Sequence, residues 1–195
     1  MSGTRVPAVA PADAPMLIRV GYRFARHQFG EVPEPFAVLA QHPKFFMAAA
    51  RHEQAVQKAR ARADGLREEI GHLVEFRVAT TIGCSWCVDF GQMLTRLDGL
   101  DVEKMQRIGS FETDPSYTED DRAAIRYADA MTATPTAVTD EQVNDLRNRF
   151  GDKAVIELTY IIGVENQRAR MYSALGVTDQ GFSTDACRVP WATDA

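Results

Sequence analysis

Long apolar runs are absent from this chain. The longest uninterrupted run is FFMAAA at residues 45–50, whereas a membrane-spanning helix needs roughly 20 apolar residues. The sequence therefore predicts no transmembrane segment. A secretory leader is not expected either, because the N-terminal MSGTRVPAVAPADAP has no basic start followed by an apolar stretch.

An excess of positive charge is also absent. The chain has 22 Lys and Arg against 27 Asp and Glu, which gives a formal net charge of −5. Since no basic surplus is available to neutralise phosphates, nucleic acid is not expected as a main partner. The expected compartment is the reducing cytoplasm, where a close cysteine pair is more often catalytic or metal-binding than a structural disulfide.

The chain also lacks segments in which apolar and polar residues alternate between hairpin turns, as they do in β-strands. Its apolar residues recur instead with the spacing of an α-helix. Ile70, Val74, Val78 and Ile82 fall four residues apart, which predicts a helix over residues 66–82. Similar patterns predict helices over residues 16–29 and 43–62, and a helix that begins within a residue or two of Cys84 and stops near Gly99. A short helix is predicted from Asp101, and three further helices are predicted to end at about residues 131, 150 and 175. The fold class is all-α.

The 195 residues are enough for one domain with a substantial core. The proline-containing residues 1–15 are expected to be a flexible tail, residues 16–183 the helical domain, and residues 184–195 a C-terminal tail. A faint similarity between EFRVATTIG, from Glu75, and ELTYIIGVEN, from Glu157, suggests a possible internal helical duplication.

Cysteine is scarce, but two of the three cysteines, Cys84 and Cys87, form the CxxC motif in TIGCSWCVDFG. Gly83 ends one helix and the next begins within a residue or two, so the pair lies at a helix N-terminus, where a thiolate is stabilised. Residues three apart on a helix are neighbours, so the sulfurs can form a disulfide. The apolar stripe of Trp86 and Phe90 predicts that Cys87 is the more buried sulfur and Cys84 the more exposed one.

Other interpretations of this pair compete with redox chemistry. The cysteines could be two small core residues. A zinc site needs a second ligand pair, which Cys187, His27, His42, His52 and His72 do not supply by their spacing. A thioredoxin-type fold needs a βαβ pattern, which is absent. We expect no metal and no cofactor beyond an external thiol reductant.

The segment VEFRVATTIGCSWCVDFG resembles the core motif of AhpD-like alkylhydroperoxidases in the carboxymuconolactone decarboxylase superfamily. The later stretch VENQRARMYSALGVTDQGFS resembles the tail of many members, so the resemblance spans roughly residues 34–183. It implies an AhpD-like helical bundle that assembles as a homo-oligomer, such as a trimer or hexamer. It also implies peroxide reduction, with Cys87 as the attacking thiol and Cys84 as its resolving partner and proton donor.

Two positions depart from the family pattern. The family's peroxidases have a glutamate where this chain has His72, and a histidine base where it has Gly91. His72 shares a helix face with Gly83, so it is expected to point towards the cysteine turn and to shuttle a proton there, or else to make a structural hydrogen bond. Glu75 is a second candidate for this task, and Asp89 is given no catalytic role.

Three functional hypotheses follow. The first is a thiol-dependent oxidoreductase acting on a peroxide or a small disulfide, with a protein or low-molecular-weight thiol as reductant. The second is a decarboxylase-like lyase, against which the CxxC pair counts. The third is a non-enzymatic oligomeric redox sensor, which the loss of the base at Gly91 favours. Cys187 is expected to be a bystander.

Overall fold

The computed structural model describes residues 3–60 and 66–183, and within those ranges it contains helices and no β-strand. This confirms the all-α prediction. In chain order the elements are α1 (Met16–Phe29), α2 (Glu34–Leu39), α3 (Pro43–Arg60), α4 (Glu68–Ile82), α5 (Ser85–Leu97), α6 (Val102–Gln106), a 3-10 turn (Ile108–Ser110), α7 (Glu119–Thr132) and α8 (Asp140–Leu175).

Local capping signals account for most helix ends. Thr118 and Thr139 each accept a hydrogen bond from the backbone N–H three residues on, and the side chains at those positions return the bond, so α7 and α8 each begin with a capping box. Gly83 and Gly176 end α4 and α8 in the left-handed conformation, which glycine adopts without strain. These ends therefore follow from the chain's local chemistry.

Two features differ from the sequence prediction. The short helix α2 follows Pro33 in a region that reads as a turn, and Pro35 near its start supplies a preset helical φ. The two helices predicted to end at residues 150 and 175 join into α8, which is interrupted at Gly151 with φ 80° and ψ 163°.

Helix α4 is the central element, and it packs against α5, α7 and α8. Most of its residues are buried, which is typical of a helix enclosed on several sides. The largest core cluster is formed by apolar side chains of α4, α7 and α8: Ile70, Val74, Val78, Ala124, Tyr127, Ala128, Leu146, Val155, Leu158, Ile161 and Ile162.

The segment 3–15, predicted as a flexible tail, lies against the helical domain. The Arg5 backbone N–H donates to the Leu175 carbonyl at 2.8 Å, and its guanidinium donates to the carbonyls of Ser173 and Ala174. These carbonyls lie in the last turn of α8, where the negative end of the helix dipole favours a cation. Residues 184–195, the predicted C-terminal tail with Cys187, lie outside the described residues. Among the described helices, none combines the length and apolar character that a bilayer crossing needs.

Candidate active site

The cysteine pair lies at the sharp turn between α4 and α5. Gly83 reverses the chain with φ 84°, Cys84 is the N-cap of α5, and Cys87 lies in the first turn. The two sulfurs form a disulfide, with the Cα atoms 5.3 Å apart. The sequence expectation that these thiols lie within bonding distance at a helix N-terminus is therefore met in the structure.

The Cys84 sulfur occupies the place of a helix-capping side chain. It accepts a hydrogen bond from the backbone N–H of Cys87 at 3.2 Å. The first-turn N–H groups and the positive end of the helix dipole favour negative charge at this point. The geometry thus stabilises a sulfur anion when the pair is reduced.

The predicted burial of the two sulfurs is wrong, because the order is reversed. Cys84 is 1% exposed and packs beside Tyr172 and Val177, whereas Cys87 is only partly buried. The C-terminal segment after α8 folds over the start of α5 and covers the N-cap position. Cys87 is therefore the sulfur that a solute can reach.

Aromatic side chains surround the turn. Trp86 stacks on Phe90 with ring centroids 4.6 Å apart, and Phe182 packs edge-on against both rings. Tyr172 of α8 meets Trp86 edge-on at 5.3 Å. These rings place the dithiol in an apolar setting, where electrostatic effects are less screened than in water.

Asp89 anchors the segment that covers the cysteines. Its side chain is buried, and its Oδ2 accepts the backbone N–H groups of Gln180, Gly181 and Phe182 at 2.8–3.0 Å. Its Oδ1 accepts the Ser183 N–H at 2.7 Å. Four N–H donors therefore converge on one carboxylate. Sequence reasoning missed this anchoring role, because the donors lie more than 90 residues away.

Gln180 adds a second link between this segment and α5. Its Oε1 accepts the indole N–H of Trp86 at 2.8 Å and the backbone N–H of Glu34 at 2.6 Å. Its Nε2 donates to the Val32 carbonyl. The aromatic wall next to the dithiol is thus joined to both the α1–α2 connection and the C-terminal segment.

His72 does not face the cysteine turn, so that expectation is wrong. Its ring contacts Thr95 Oγ1 at 3.0 Å through Nδ1 and Asp98 Oδ2 at 3.0 Å through Nε2. Because α4 and α5 run antiparallel around Gly83, these partners lie at the far end of the helix pair. Eleven residues separate His72 from Gly83, or about 16 Å of helix axis at 1.5 Å per residue. A direct proton exchange between His72 and Cys87 has no support in this geometry.

The structure has room for a Cβ atom at Gly91. A Cβ atom added there would meet only the Phe76 ring, at an ordinary 3.9 Å. The site therefore lacks an imidazole one turn beyond Cys87 but leaves room on that side.

Glu75 is held in a network of charges. Arg60 donates to its carboxylate at 3.0 Å and Arg168 at 3.3 Å, and Arg168 also bonds Glu165 at 3.1 Å and Glu53. Two guanidinium groups therefore engage Glu75, which is directed to this charge network rather than to the cysteines.

Glu165 is the most perturbed acid in this network. Burial raises the pKa of its carboxyl to about 8; the Arg168 guanidinium opposes that rise, and the negative charges of Glu75 and Glu53 add to it. Burial also raises the pKa of Tyr172, which joins the network to the aromatic wall. Glu165 therefore holds a proton near neutral pH. It lies on α8, whereas the dithiol lies at the start of α5.

Comparisons with known proteins begin with the sequence. No protein-family model matches the chain. It is 28% identical over 176 residues to the uncharacterized protein YnjA of Escherichia coli K12, covering 90% of this chain and 93% of that one.

Solved structures agree with the fold over a long span. A protein from Agrobacterium tumefaciens described as a putative antioxidant defence protein AhpD is 28% identical, with a TM-score of 0.65 over 72% of this chain and 94% of that one. An alkylhydroperoxidase AhpD core protein from Ralstonia eutropha JMP134 is 20% identical, with a TM-score of 0.78 over 93% and 95%. A cysteine-to-alanine variant of the debrominase Bmp8, in complex with 2,3,4-tribromopyrrole, is 20% identical, with a TM-score of 0.78 over 93% of this chain and 95% of that one.

The fold and the turn together define a helical protein with a dithiol at a helix N-terminus. The fold is that of AhpD-like proteins, and the likeness to the Agrobacterium tumefaciens protein extends to the sequence at 28% identity.

Proposed function

We propose that this protein is a thiol-dependent oxidoreductase that reduces a peroxide or a small disulfide through Cys87 and Cys84. The observation that carries the proposal is the Cys84–Cys87 pair at the start of α5, with one sulfur buried at the N-cap and the other partly exposed. This asymmetry gives the two sulfurs different tasks.

In the oxidative half-reaction, the Cys87 thiolate attacks the peroxide. An S–O bond forms, the O–O bond breaks, and the leaving alkoxide takes a proton to give an alcohol and Cys87 sulfenic acid. The Cys84 sulfur then attacks the Cys87 sulfur, which forms the disulfide and releases water. Cys87 is assigned the first step because a solute can reach it, and Cys84 the second because it is buried within bonding distance.

In the reductive half-reaction, an external thiolate attacks the accessible Cys87 sulfur. The S–S bond breaks, and Cys84 leaves as a thiolate that accepts the Cys87 N–H at the helix N-terminus. A second external thiol then resolves the mixed disulfide, so two thiols are oxidised for each turnover. The reductant is a protein or low-molecular-weight thiol.

The rate of this chemistry should be modest. A positioned general base commonly contributes about 10²–10⁴-fold, and neither His72 nor residue 91 supplies one beside Cys87. We propose that the Cys84 thiolate itself takes the Cys87 proton when the pair is reduced, since the two sulfurs are neighbours.

Mass spectrometry of peroxide-treated, reduced protein tests the proposal. We expect one intramolecular Cys84–Cys87 disulfide in the parent. The Cys84→Ser variant should retain a sulfenic acid on Cys87 that a dione probe traps. Cys87→Ser should abolish peroxide consumption, whereas Cys187→Ser, the matched control, should leave it unchanged. Peroxide consumption that survives Cys87→Ser would overturn the proposal.

The same variants separate the competing functions. A decarboxylase-like lyase would keep its activity when both cysteines of the pair are replaced by serine. Bmp8 is a debrominase on a similar fold, so a brominated aromatic belongs among the substrates assayed. A redox sensor would form the disulfide without repeated turnover in the presence of excess thiol. Size-exclusion chromatography with light scattering tests the proposed homo-oligomer.

A further inference from the structure

Three ligand-type side chains meet at the end of the α4–α5 pair opposite the dithiol. Glu68 and His72 are one turn apart on α4, and Asp98 follows α5. One ligand atom from each residue lies within 4.8 Å of the other two. The antiparallel path of the two helices is what brings Asp98 beside the first turn of α4.

Hydrogen bonds fix the orientation of the His72 ring. Its Nδ1 lies 3.0 Å from Thr95 Oγ1, and that hydroxyl has the Gly91 carbonyl at 2.9 Å and the Met105 sulfur at 2.8 Å. Both of those atoms are acceptors without a proton, so the hydroxyl donates to one of them. In the tautomer of His72 that carries its proton on Nδ1, the hydroxyl oxygen accepts that N–H. This is the arrangement by which a neighbouring group orients a metal-binding imidazole.

The other ring nitrogen then presents a lone pair to two carboxylates. Nε2 lies 3.0 Å from Asp98 Oδ2, and a Glu68 oxygen belongs to the same close group. Three acceptors that face one another are held together either by a proton on Nε2 or by a cation between them. The nearby Lys104, which lines the same small cavity as His72, is already paired with Glu69 at 2.6 Å and Asp121 at 2.9 Å.

We propose that Glu68, His72 and Asp98 bind a divalent transition metal ion of the zinc type. One imidazole and two carboxylates suit Zn²⁺, and adjacent ligands of a tetrahedral ion at bond lengths of about 2.1 Å lie about 3.4 Å apart. In this structure His72 Nε2 and Asp98 Oδ2 are 3.0 Å apart, and the Glu68 oxygen lies within 4.8 Å of both. Asp98 is 40% exposed, so the ion has a path from solvent and water completes its coordination. The bound ion links the start of α4 to the end of α5.

Isothermal titration calorimetry with Zn²⁺ tests the site on protein that carries the Cys84–Cys87 disulfide and Cys187→Ser, so that free thiols do not compete. We expect one ion per chain with micromolar affinity, and a higher thermal unfolding midpoint with Zn²⁺ than without it. His72→Gln and Asp98→Asn should each weaken binding by at least 10-fold. His27→Gln, at an exposed histidine of α1, is the matched control and should not change it.

The exposed position of Asp98 keeps the test decisive if His72→Gln folds poorly, which circular dichroism would report. A titration that shows no measurable binding at about 1 mM Zn²⁺ would overturn the proposal. In that case a proton on His72 Nε2 bridges the imidazole and the carboxylates. Equal affinity in the parent and in Asp98→Asn would overturn it as well. The result is independent of the dithiol's activity, because the thiols are oxidised or absent throughout.

Discussion

Replacing Asp89 by asparagine should release the segment that covers the cysteine pair. The carboxylate accepts four backbone N–H groups, from Gln180 through Ser183, with two oxygens. An amide has the same shape but one oxygen. If that oxygen takes the place of Oδ2, the new NH₂ group faces the Ser183 N–H, donor against donor.

The magnitude follows from the bonds that change. A hydrogen bond to a charged group contributes about 1.5–3 kcal/mol, and charge-assisted bonds are roughly twice as strong as neutral ones. The substitution removes one such bond and weakens three others, so docking of the segment should lose about 3 kcal/mol or more. Since each 1.4 kcal/mol is tenfold, the open state should become about 100-fold more populated.

Hydrogen exchange measured on a peptide covering residues 178–183 reports this opening directly. Asp89→Asn should speed exchange of those amides by about 100-fold while the amides of α4 and α7 stay protected. Asp179→Asn, at an exposed neighbouring acid, is the control and should behave like the parent. Unchanged exchange in Asp89→Asn would refute the claim that this carboxylate holds the segment in place.

Three further predictions concern α5 and the buried acid of α8. Gly91→Ala should raise the free energy of unfolding by about 0.5–1 kcal/mol in urea titrations, because alanine favours a helix and its Cβ makes only an ordinary contact with the Phe76 ring; a loss of stability would contradict this fit. Gly91→His should speed peroxide consumption at least 10-fold if a base there serves Cys87, and an unchanged rate would show that it does not. The Glu165 carboxyl has a pKa of about 8 in the folded protein and an ordinary pKa of 4.5 in the unfolded chain. Between these two pH values the folded state holds a proton that the unfolded chain has released. The free energy of unfolding should therefore fall as the pH rises from 4.5 to about 8, by up to about 1.4 kcal/mol per pH unit. Denaturant midpoints should lose that slope in Glu165→Gln and keep it in Glu103→Gln, at an exposed acid; a slope that persists in Glu165→Gln would assign it to other groups.

Most of the fold could be predicted because its signals are local. Capping side chains and left-handed glycines lie within a few residues of the helix ends they determine, as at Thr118 and Gly83. The short helix α2 escaped prediction, since six residues carry too little periodicity to distinguish a helix from a turn.

The burial of the cysteines could not be predicted from the helix that carries them. The stripe of Trp86 and Phe90 suggested that Cys87 faces the core, but the segment after α8 covers Cys84 instead. That cover depends on Asp89, whose partners are more than 90 residues away in sequence. A single helical pattern contains no information about such a distant segment.

The position of His72 could have been inferred with one more step. A left-handed glycine followed at once by a new helix implies that α4 and α5 run antiparallel, so residues equally far from Gly83 lie opposite each other. His72 then faces the region of Thr95 and Asp98, as observed. A shared helix face shows which side a residue occupies, but it does not show how far along the helix its partners lie.

The central claim is that the start of α5 stabilises a sulfur anion when the Cys84–Cys87 pair is reduced. The most direct test of this claim is to measure the rate of iodoacetamide alkylation as a function of pH in reduced Cys187→Ser protein. The account predicts that the first deprotonation of the Cys84–Cys87 pair occurs clearly below the ordinary thiol value of about 8.5, with Cys87 modified first because it is the accessible sulfur. An alkylation profile that rises only at about pH 8.5 or above, at either cysteine, would contradict it.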